Sequence, residues 1–370
     1  MRPWLILPAI VSMTLSASSA FGAGTTIETF TYKTSGEKHL EIHVHYPPDW
    51  KSEDSRPAMI FFFGGGWTGG STNQFMDQAE YFASRGMVTA RADYRVKSRD
   101  GVTPDQCVED ARSAVRWLRK NAQQLGIDPK KLVSSGGSAG GHLAACMMIE
   151  KSVEAEGDDL SISTVPQAMV LFNPVLSFES GQILGRLGDK KHLAKRISPT
   201  AHLRKGCPPA LILFGTEDRL KVFGDSYWEK AEGLGVRAEK YIAEGQGHGF
   251  FNRSPWKERT MKVADEFLIS LGLLEGPPTV KVPEEAAEER PLSREGSRQG
   301  PQRSRDLRAR WLSMDTDGDE KISKEEARGQ IKNNFAQIDT TGDGFIDRGE
   351  LQALAQRLGQ RRDGSASRRR

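Results

Sequence analysis

A serine, an aspartate and a histidine, each close to glycine, are the residues of this chain best suited to chemistry. Ser138 lies in the G-x-S-x-G pattern of Gly136–Gly140, and Asp218 and His248 follow it in that order. A serine hydroxyl is a poor nucleophile at neutral pH and needs a base to take its proton as it attacks. In this set His248 would take the proton, and Asp218 would orient the imidazole and stabilise its protonated form. The three residue types therefore indicate nucleophilic attack on an acyl carbon.

Each member of this set has a competitor in the sequence. The serine pattern alone is weak in a chain with 38 glycines, where it could also be a turn or a phosphate cradle. Glu217 stands next to Asp218 and is chemically competent, but the shorter side chain is easier to hold in one orientation. His142 follows Ser138 on the same predicted helix, and a fixed helical offset makes its approach to the hydroxyl awkward. We therefore expect His142 to be a packing or pocket-wall residue.

Apolar runs alternate with amphipathic segments between residues 24 and 274. Short runs rich in branched and aromatic residues predict strands, and apolar residues at helical spacing predict helices that pack on them. This alternation is typical of an α/β protein with a mostly parallel sheet of about eight strands flanked by helices. The predicted strands and clearest helices are Thr26–Lys33, Leu40–Tyr46, Ala58–Phe63, Met87–Ala92, Leu132–Ser135, Ala168–Phe172, Ala210–Phe214 and Arg237–Ile242, with helices Pro104–Gln123 and Lys257–Leu271.

These elements place Ser138 at a turn from a strand into a helix. The first backbone N–H groups of that helix would point at the reacting centre, and the Ala139 N–H would donate to a developing oxyanion. The turn Gly64–Gly66 would supply further donors, because side chains there would block the approach of the backbone. Trp67, directly after this turn, could line the pocket or cover the edge of the domain, and the sequence does not decide between these positions.

With those motifs in place, residues 55 to 270 resemble an α/β-hydrolase of the esterase/lipase group, related to hormone-sensitive lipase and small bacterial acetyl and feruloyl esterases. The resemblance is carried by Phe63–Trp67, Asp93–Arg95, Asp110, Gly136–His142, Gly215–Asp218 and Gly247–Phe250. It implies a catalytic triad and an oxyanion hole made of Ser138, Asp218 and His248 with Gly65, Gly66 and Ala139. It also implies an architectural ion pair between Asp93–Arg95 and Asp110.

One residue departs from that family pattern. Many relatives have a histidine before the triple glycine, where this chain has Phe63. The backbone donors of the turn survive the change, but the rigidity of the loop and the polarity of the pocket would differ.

The N-terminus resembles a secretory signal peptide. Arg2 precedes an apolar stretch from Leu5 to Val11, and small residues close to Ala23 offer cleavage sites. An uncleaved anchor or a first strand is the alternative, although the stretch is short for a bilayer span. We expect residues 1–23 to be removed and the protein to be secreted or periplasmic, with no stable membrane insertion.

Bulk composition limits the partners and the redox chemistry. A formal net charge of +3 over 370 residues gives no reason to expect nucleic acid or an anionic membrane as a partner. The three cysteines, Cys107, Cys146 and Cys207, allow at most one disulfide, and buried free thiols are the expected state.

Composition changes abruptly after the hydrolase-like segment at residues 24–274. Residues 275–304 are rich in Pro, Glu, Arg and Ser and predict a disordered linker, because they hold too little apolar surface to fold. Residues 305–360 predict a small all-α module that resembles a pair of EF-hands. Residues 361–370 predict a basic disordered tail, with a weak electrostatic anchor as the alternative.

Two acidic segments of this module have the spacing of 12-residue calcium loops. The predicted ligands are Asp315, Asp317, Asp319, Lys321, Ser323 and Glu326 in the first loop, and Asp339, Thr341, Asp343, Phe345, Asp347 and Glu350 in the second. Lys321 and Phe345 would contribute their backbone carbonyls. The first loop has Glu320 where a glycine normally makes the sharp turn, and the second has Thr341 where Asp or Asn is usual.

The two loops begin too close together for two full helix–loop–helix units. One helix near Glu325–Gln337 would then serve both loops, in an arrangement that resembles dockerin repeats. Ile322 and Ile346 occupy matching loop positions and predict a short two-stranded contact between the loops. We expect Ca²⁺ here to be structural, and we expect catalysis to need no cofactor.

The sequence therefore favours a secreted serine hydrolase that cleaves carboxylic esters, including carbohydrate esters, with a tethered calcium-binding module. Its substrate would be a small-molecule or carbohydrate ester. A serine peptidase with the same triad is the alternative within this class. A calcium-dependent binding or attachment protein on a hydrolase scaffold is the alternative from another class, and the complete set of Ser138, Asp218 and His248 disfavours it.

Overall fold

The computed structural model describes residues 25–179, 181–283, 321–327, 332, 335–347 and 350. The chain forms two compact units, Met1–Ala287 and Glu288–Arg370. The predicted signal peptide, the basic tail and Asp315, Asp317 and Asp319 lie outside the described residues. Residues 275–283, where the predicted linker starts, contain no helix or strand. The domain boundaries derived from composition stay predictions.

The first unit is built on one sheet whose eight strands are all present in the sequence-based prediction. They are β1 (Thr26–Ser35), β2 (Lys38–Tyr46), β3 (Arg56–Phe62), β4 (Val88–Ala92), β5 (Ile127–Gly137), β6 (Ala168–Phe172), β7 (Ala210–Gly215) and β8 (Ala238–Ala243). Their order is β1-β2-β4-β3-β5-β6-β7-β8. β2 pairs antiparallel with β1 and β4, and every other neighbouring pair is parallel. The predicted fold class is therefore confirmed.

The helices of this unit connect the strands and cover the sheet. They are α1 (Met76–Ser84), α2 (Lys97–Asp100), α3 (Pro104–Lys120), α4 (Ala139–Cys146), α5 (Gly181–Gly185), α6 (Pro199–His202), α7 (Lys221–Leu234) and α8 (Trp256–Ser270), with 3₁₀ helices at Thr72–Phe75, Gly188–Ile197 and Phe250–Asn252. The two predicted helices correspond to α3 and α8. None of the helices in the described part of the chain is long and apolar enough to cross a membrane.

The sheet separates two apolar cores. On β3, Ile60 and Phe62 pack into the core that contains α3, α4 and α7. Met59 and Phe61, which alternate with them, pack into the core that contains α1 and α8. A central parallel strand is buried on both faces, which explains why its sequence is an unbroken apolar run. The three cysteines are buried and free, as expected.

Asp110 on α3 is fully buried and holds the start of this helix against the sheet. Arg95 donates from Nε and Nη2 to its two carboxylate oxygens, over 2.7 and 2.8 Å. Lys33 Nζ on β1 donates to the same carboxylate over 2.7 Å. Next to Arg95, the Tyr94 hydroxyl donates to the carbonyl of Phe63 over 2.6 Å. The architectural ion pair implied by the family resemblance is therefore present, and the hydrogen bond of the neighbouring Tyr94 holds the residue that precedes the glycine turn.

Replacing Asp110 with asparagine should lower the free energy of unfolding by about 3–5 kcal/mol, because Arg95 and Lys33 would lose their buried counter-charge. Denaturant unfolding measures the change. The control is Asp225→Asn, which removes an exposed pair with Lys221 on α7 and should cost less than about 0.5 kcal/mol. Equal losses in the two variants would contradict the structural role of Asp110.

The second unit contains the pairing of the two loops. β9 (Ile322–Ser323) and β10 (Phe345–Ile346) are antiparallel, with Ile322 opposite Ile346. The predicted two-stranded contact is confirmed. Of the helix predicted near Glu325–Gln337, the structure has a turn instead of a helix at Glu325 and Glu326, and it has α9 (Phe335–Ile338) towards the end of the predicted range. Among the described residues of this unit, the buried apolar side chains are Ile322, Ala327, Phe335, Ile338 and Ile346.

Candidate active site

Ser138 occupies the turn between β5 and α4 in a backbone conformation that side-chain-bearing residues rarely adopt. Its φ is 54° and its ψ is −115°. Its N–H donates to the Phe172 carbonyl over 2.8 Å, which ties the turn to the end of β6. A Cβ on Gly136 would lie 2.6 Å from the carbonyl oxygen of Phe62 on the neighbouring strand. The glycine is therefore required for close packing, and the turn projects the Ser138 side chain from the carboxyl edge of the sheet.

The structure brings Ser138, His248 and Asp218 together in one line of hydrogen bonds. His248 Nε2 lies 2.9 Å from Ser138 Oγ, and His248 Nδ1 lies 2.8 Å from Asp218 Oδ2. The His248 side chain is 42% exposed, whereas that of Asp218 is 1% exposed. The site can thus receive a substrate at Ser138 and His248 while the carboxylate stays shielded. The competing Glu217 is exposed.

Asn173 is a member of the site that the sequence analysis missed. It follows β6, is fully buried, and has a φ of 46°. Its Nδ2 donates to Asp218 Oδ2 over 2.7 Å, and its Oδ1 accepts from the Gly249 N–H over 3.2 Å. The side chain therefore joins the acid to the loop that carries His248. The Leu220 N–H donates to the other Asp218 oxygen over 2.9 Å, which fixes the carboxylate further.

His142 does not approach Ser138. It is buried on α4, and its Nε2 donates to the Ile197 carbonyl over 2.7 Å. Burial lowers the pKa of His142 to about 4, so its ring is neutral near neutral pH. Trp67 is also buried and packs edge-on against His142 and Phe178. The expectation for His142 is confirmed. Trp67 packs inside the fold next to the glycine turn and does not cover the edge of the domain.

The glycine turn lies directly beside the serine. A Cβ on Gly64 would be 3.3 Å from Ser138 Cβ. Gly65 and Gly66 have φ values of 125° and 61°, which L side chains disfavour. Within the described residues, no acceptor takes the N–H groups of Gly65, Gly66 or Ala139. These three groups are therefore available for a ligand oxygen, as the resemblance implies.

Phe63, the departure from the family pattern, leaves this turn well supported. Its ring stacks on Tyr94 at 4.1 Å between centroids. The Gly64 N–H donates to Gln74 Oε1 over 2.5 Å, and Gln74 Nε2 donates to Asn252 Oδ1 over 3.1 Å. An aromatic stack and a side-chain relay thus hold the loop that carries the free N–H groups.

The second predicted calcium loop is described in full except for residues 348 and 349. Gly344, at the sixth position, has a φ of 83° and makes the sharp turn. Glu350 Oε1 accepts from the N–H of Thr341 over 2.9 Å, and Asp339 Oδ1 accepts from the N–H of Gly342 over 2.7 Å. The donor types and the turn fit Ca²⁺. Among the described residues, however, no three acidic, histidine or cysteine side chains converge as a metal cluster.

In the first loop, the described ligand candidates are Lys321, Ser323 and Glu326. The Ser323 hydroxyl and N–H both donate to Glu326 Oε2 over 2.9 Å. The carboxylate at the last ligand position of this loop thus accepts hydrogen bonds from the residue at the ninth position. The second loop has the same arrangement, because Glu350 Oε2 accepts from the Asp347 N–H over 3.1 Å.

A nucleophile turn after β5, an acid after β7 and a histidine after β8 on a mostly parallel sheet define an α/β-hydrolase. A family model agrees with this class. The chain belongs to the BD-FAE family, whose model matches residues 42–227, half of the chain. A second model, described as EF hand, matches residues 334–355 and contains the whole second loop.

Solved structures resemble the first unit closely. Esterase 2 of Thermogutta terrifontis, phosphonylated by sarin, is 41% identical, with a TM-score of 0.64 over 69% of this chain and 97% of that chain. The same esterase with propionate bound is 42% identical, with a TM-score of 0.62 over the same shares of the two chains. Carboxylesterase NlhH of Mycobacterium tuberculosis is 26% identical over 61% of this chain and 76% of its own length. The protein is therefore a carboxylic-ester hydrolase.

Replacing Asn173 with glycine should lower kcat about 10- to 100-fold with little change in KM, because the acid and the histidine loop would lose their common partner. Glycine accommodates the positive φ, so backbone strain is not added. Steady-state kinetics on a nitrophenyl ester measure the effect, with Asn121→Gly at the C-terminal end of α3 as the control.

If Asn173 acts through its contacts with Asp218, its removal should cost little in a chain that already carries Asp218→Ala. An unchanged penalty in that background would show that Asn173 supports only the fold.

Proposed function

We propose that the chain is a secreted serine esterase that works through an acyl-enzyme on Ser138. The observation that carries the proposal is the continuous line of hydrogen bonds from Ser138 Oγ through the His248 ring to the buried Asp218 carboxylate. Each atom lies at the distance that proton transfer requires. This arrangement supports the roles that we assign to the three residues.

In the first half of the proposed reaction, Ser138 Oγ attacks the acyl carbon while His248 Nε2 takes the hydroxyl proton. The carbonyl oxygen becomes an oxyanion, which the N–H groups of Gly65, Gly66 and Ala139 stabilise. Asp218 balances the charge of the protonated ring. His248 then gives the proton to the departing alkoxide, which leaves as the alcohol.

In the second half, water attacks the acyl-enzyme and His248 takes a proton from it. Collapse of the second tetrahedral intermediate returns that proton to Ser138 Oγ and releases the carboxylic acid. Every proton is thus exchanged among Ser138, His248, the substrate and water. Binding of a cofactor is not part of this cycle.

We propose short acyl groups as the preferred substrates. The esterase 2 structures with propionate and with butyrate bound support this choice, because those chains are 42% and 41% identical to this one. The exposed ring of His248 leaves room for a large alcohol, and a sugar ester is the class that we propose for it.

The Ser138→Ala variant should lose at least about 10³-fold in turnover of a short-chain nitrophenyl ester, because no other group can form the acyl-enzyme. A fluorophosphonate should add to the native chain once, with fluoride leaving as the phosphorus–oxygen bond forms at Ser138. Intact mass measurement detects this adduct.

The control is Ser52→Ala, which changes an exposed serine on a loop before β3 and should keep both the turnover and the adduct. Retained turnover or labelling in Ser138→Ala would contradict the proposed nucleophile.

We further propose that the second loop binds Ca²⁺ as a structural ion. The EF hand match over residues 334–355 and the oxygen-only donor set support this. Asp339, Asp343 and Glu350 would provide carboxylates, Thr341 and Asp347 further oxygens, and Phe345 its carbonyl. The N-terminus resembles a signal peptide and supports export of the protein. Outside the cell, calcium is abundant enough for such a site.

The Glu350→Gln variant of the full chain should bind Ca²⁺ at least about tenfold more weakly, because the carboxylate at the last loop position is lost. Titration calorimetry measures the affinity, and Glu229→Gln on α7 is the charge-matched control. Chelation should remove a calcium-dependent thermal transition but leave most esterase activity. Complete loss of activity on chelation would contradict a purely structural role for the ion.

A further inference from the structure

Arg186 places a guanidinium on the glycine turn beside the site. It lies between α5 and the 3₁₀ helix Gly188–Ile197. Its Nη1 donates to the Gly66 carbonyl over 3.0 Å and lies 3.4 Å from Thr68 Oγ1. Its Cζ lies 5.8 Å from the centre of the Trp67 ring, within range of a cation–π contact. All these partners are neutral and belong to one loop.

One edge of the Arg186 guanidinium is unused. Both of its hydrogen bonds come from Nη1, and in the part of the chain that the structure describes, neither Nε nor Nη2 has an acceptor. No carboxylate in that part of the chain pairs with Arg186. Arg95 offers the contrast, because its Nε and Nη2 both donate to Asp110. The free edge of Arg186 is the same pair of donors that binds a carboxylate through two parallel hydrogen bonds.

The charge on Arg186 is also poorly compensated. The residue is exposed overall, yet packing against Trp67 and the turn removes enough water to lower the pKa of the guanidinium. Arginine still remains cationic near neutral pH. A cation that is partly desolvated without a counter-ion gains more from an anionic ligand than a fully hydrated one does.

The position of Arg186 relative to the reacting serine suits a group on the substrate. The guanidinium is 3.4 Å from the place where a Cβ on Gly66 would be, and a Cβ on Gly64 would touch Ser138 Cβ at 3.3 Å. Two peptide units separate Gly64 from Gly66, a span of at most about 7.6 Å. Arg186 therefore lies on the same short loop that flanks Ser138, and a side group of an ester bound at Ser138 can extend along this loop to the guanidinium.

We propose that Arg186 binds a carboxylate carried by the ester substrate, so that the enzyme favours acidic esters over neutral ones. The inference rests on the proposed function of Ser138, since it assigns a preference to that same site. A carboxylate on the acyl group and one on the alcohol would satisfy the same donors, and the experiment separates the two. The competing explanation is that Arg186 only ties its segment to the glycine turn.

Two pairs of esters differ by one charge and little else. The nitrophenyl half-ester of adipic acid is compared with the nitrophenyl ester of its monoamide, which places the charge on the acyl side. Acetoxybenzoate is compared with acetoxybenzamide, which places it on the alcohol side. The native enzyme should favour the carboxylate by about fivefold or more in kcat/KM for at least one pair, and added salt should reduce the preference.

In the Arg186→Gln variant, the ratio of kcat/KM between the carboxylate ester and its amide-bearing counterpart should fall to about one. Turnover of the amide-bearing esters should stay within about twofold of native. The Arg186→Lys variant should keep part of the preference, because it retains the charge without the paired donors. The control is Arg237→Gln, which removes the same charge at the opposite edge of the sheet, before β8, and should keep the native ratio.

A native kcat/KM ratio near one for both pairs would overturn the proposal. An equal loss of kcat/KM on both members of each pair in Arg186→Gln would also overturn it, because it would show that Arg186 only ties its segment to the glycine turn. If the native enzyme did not hydrolyse even the amide-bearing esters, the proposed serine esterase itself would be contradicted. Failure of the Arg186 proposal and failure of the proposed function therefore give different results.

Discussion

The conformation of Ser138 is the constraint on which the rest of the site depends. A positive φ at a non-glycine residue is held in place only when its surroundings over-determine it. Here the Ser138 N–H bonds to the end of β6, its carbonyl starts α4, and Gly136 and Gly140 let the turn press against the end of β3. A side chain at either glycine would collide with the backbone at the end of β3 and displace the turn that holds Ser138.

Because β5 to β8 run parallel, their carboxyl ends meet at one edge of the sheet, and each contributes to the site after its last residue. Ser138 follows β5, Asn173 follows β6, Asp218 follows β7 and His248 follows β8. Three of these are recognisable from the sequence, because a serine, an aspartate and a histidine that each follow a strand close to glycine are the residue types of a catalytic triad. Asn173 carried the same positional signal, a polar residue directly after an apolar run, but an amide has no chemistry of its own to single it out.

The strands and the main helices were also predictable, because apolar runs and helical spacing reflect burial that the sheet imposes locally. The position of Trp67 could not be predicted, because it depends on packing against His142 and Phe178, which come from distant segments. The position of Arg186 could not be predicted from the sequence either. Its segment carries no motif, and only the folded chain shows that its guanidinium meets the Gly66 carbonyl instead of a carboxylate.

The two units are stabilised in different ways. In the first, two cores on either side of the sheet bury enough apolar surface to hold a strained serine and the Arg95–Asp110 ion pair. In the second, the described core consists of a few side chains around the Ile322–Ile346 pairing. If the second loop binds Ca²⁺ as proposed, the cation would offset the repulsion between its carboxylates and couple the ordering of this loop to ion binding. In the first unit, the buried carboxylates Asp105, Asp110 and Asp265 pair with Lys190, Arg95 and Arg85 of the same unit. The fourth, Asp218, is held by hydrogen bonds from Asn173, Leu220 and His248.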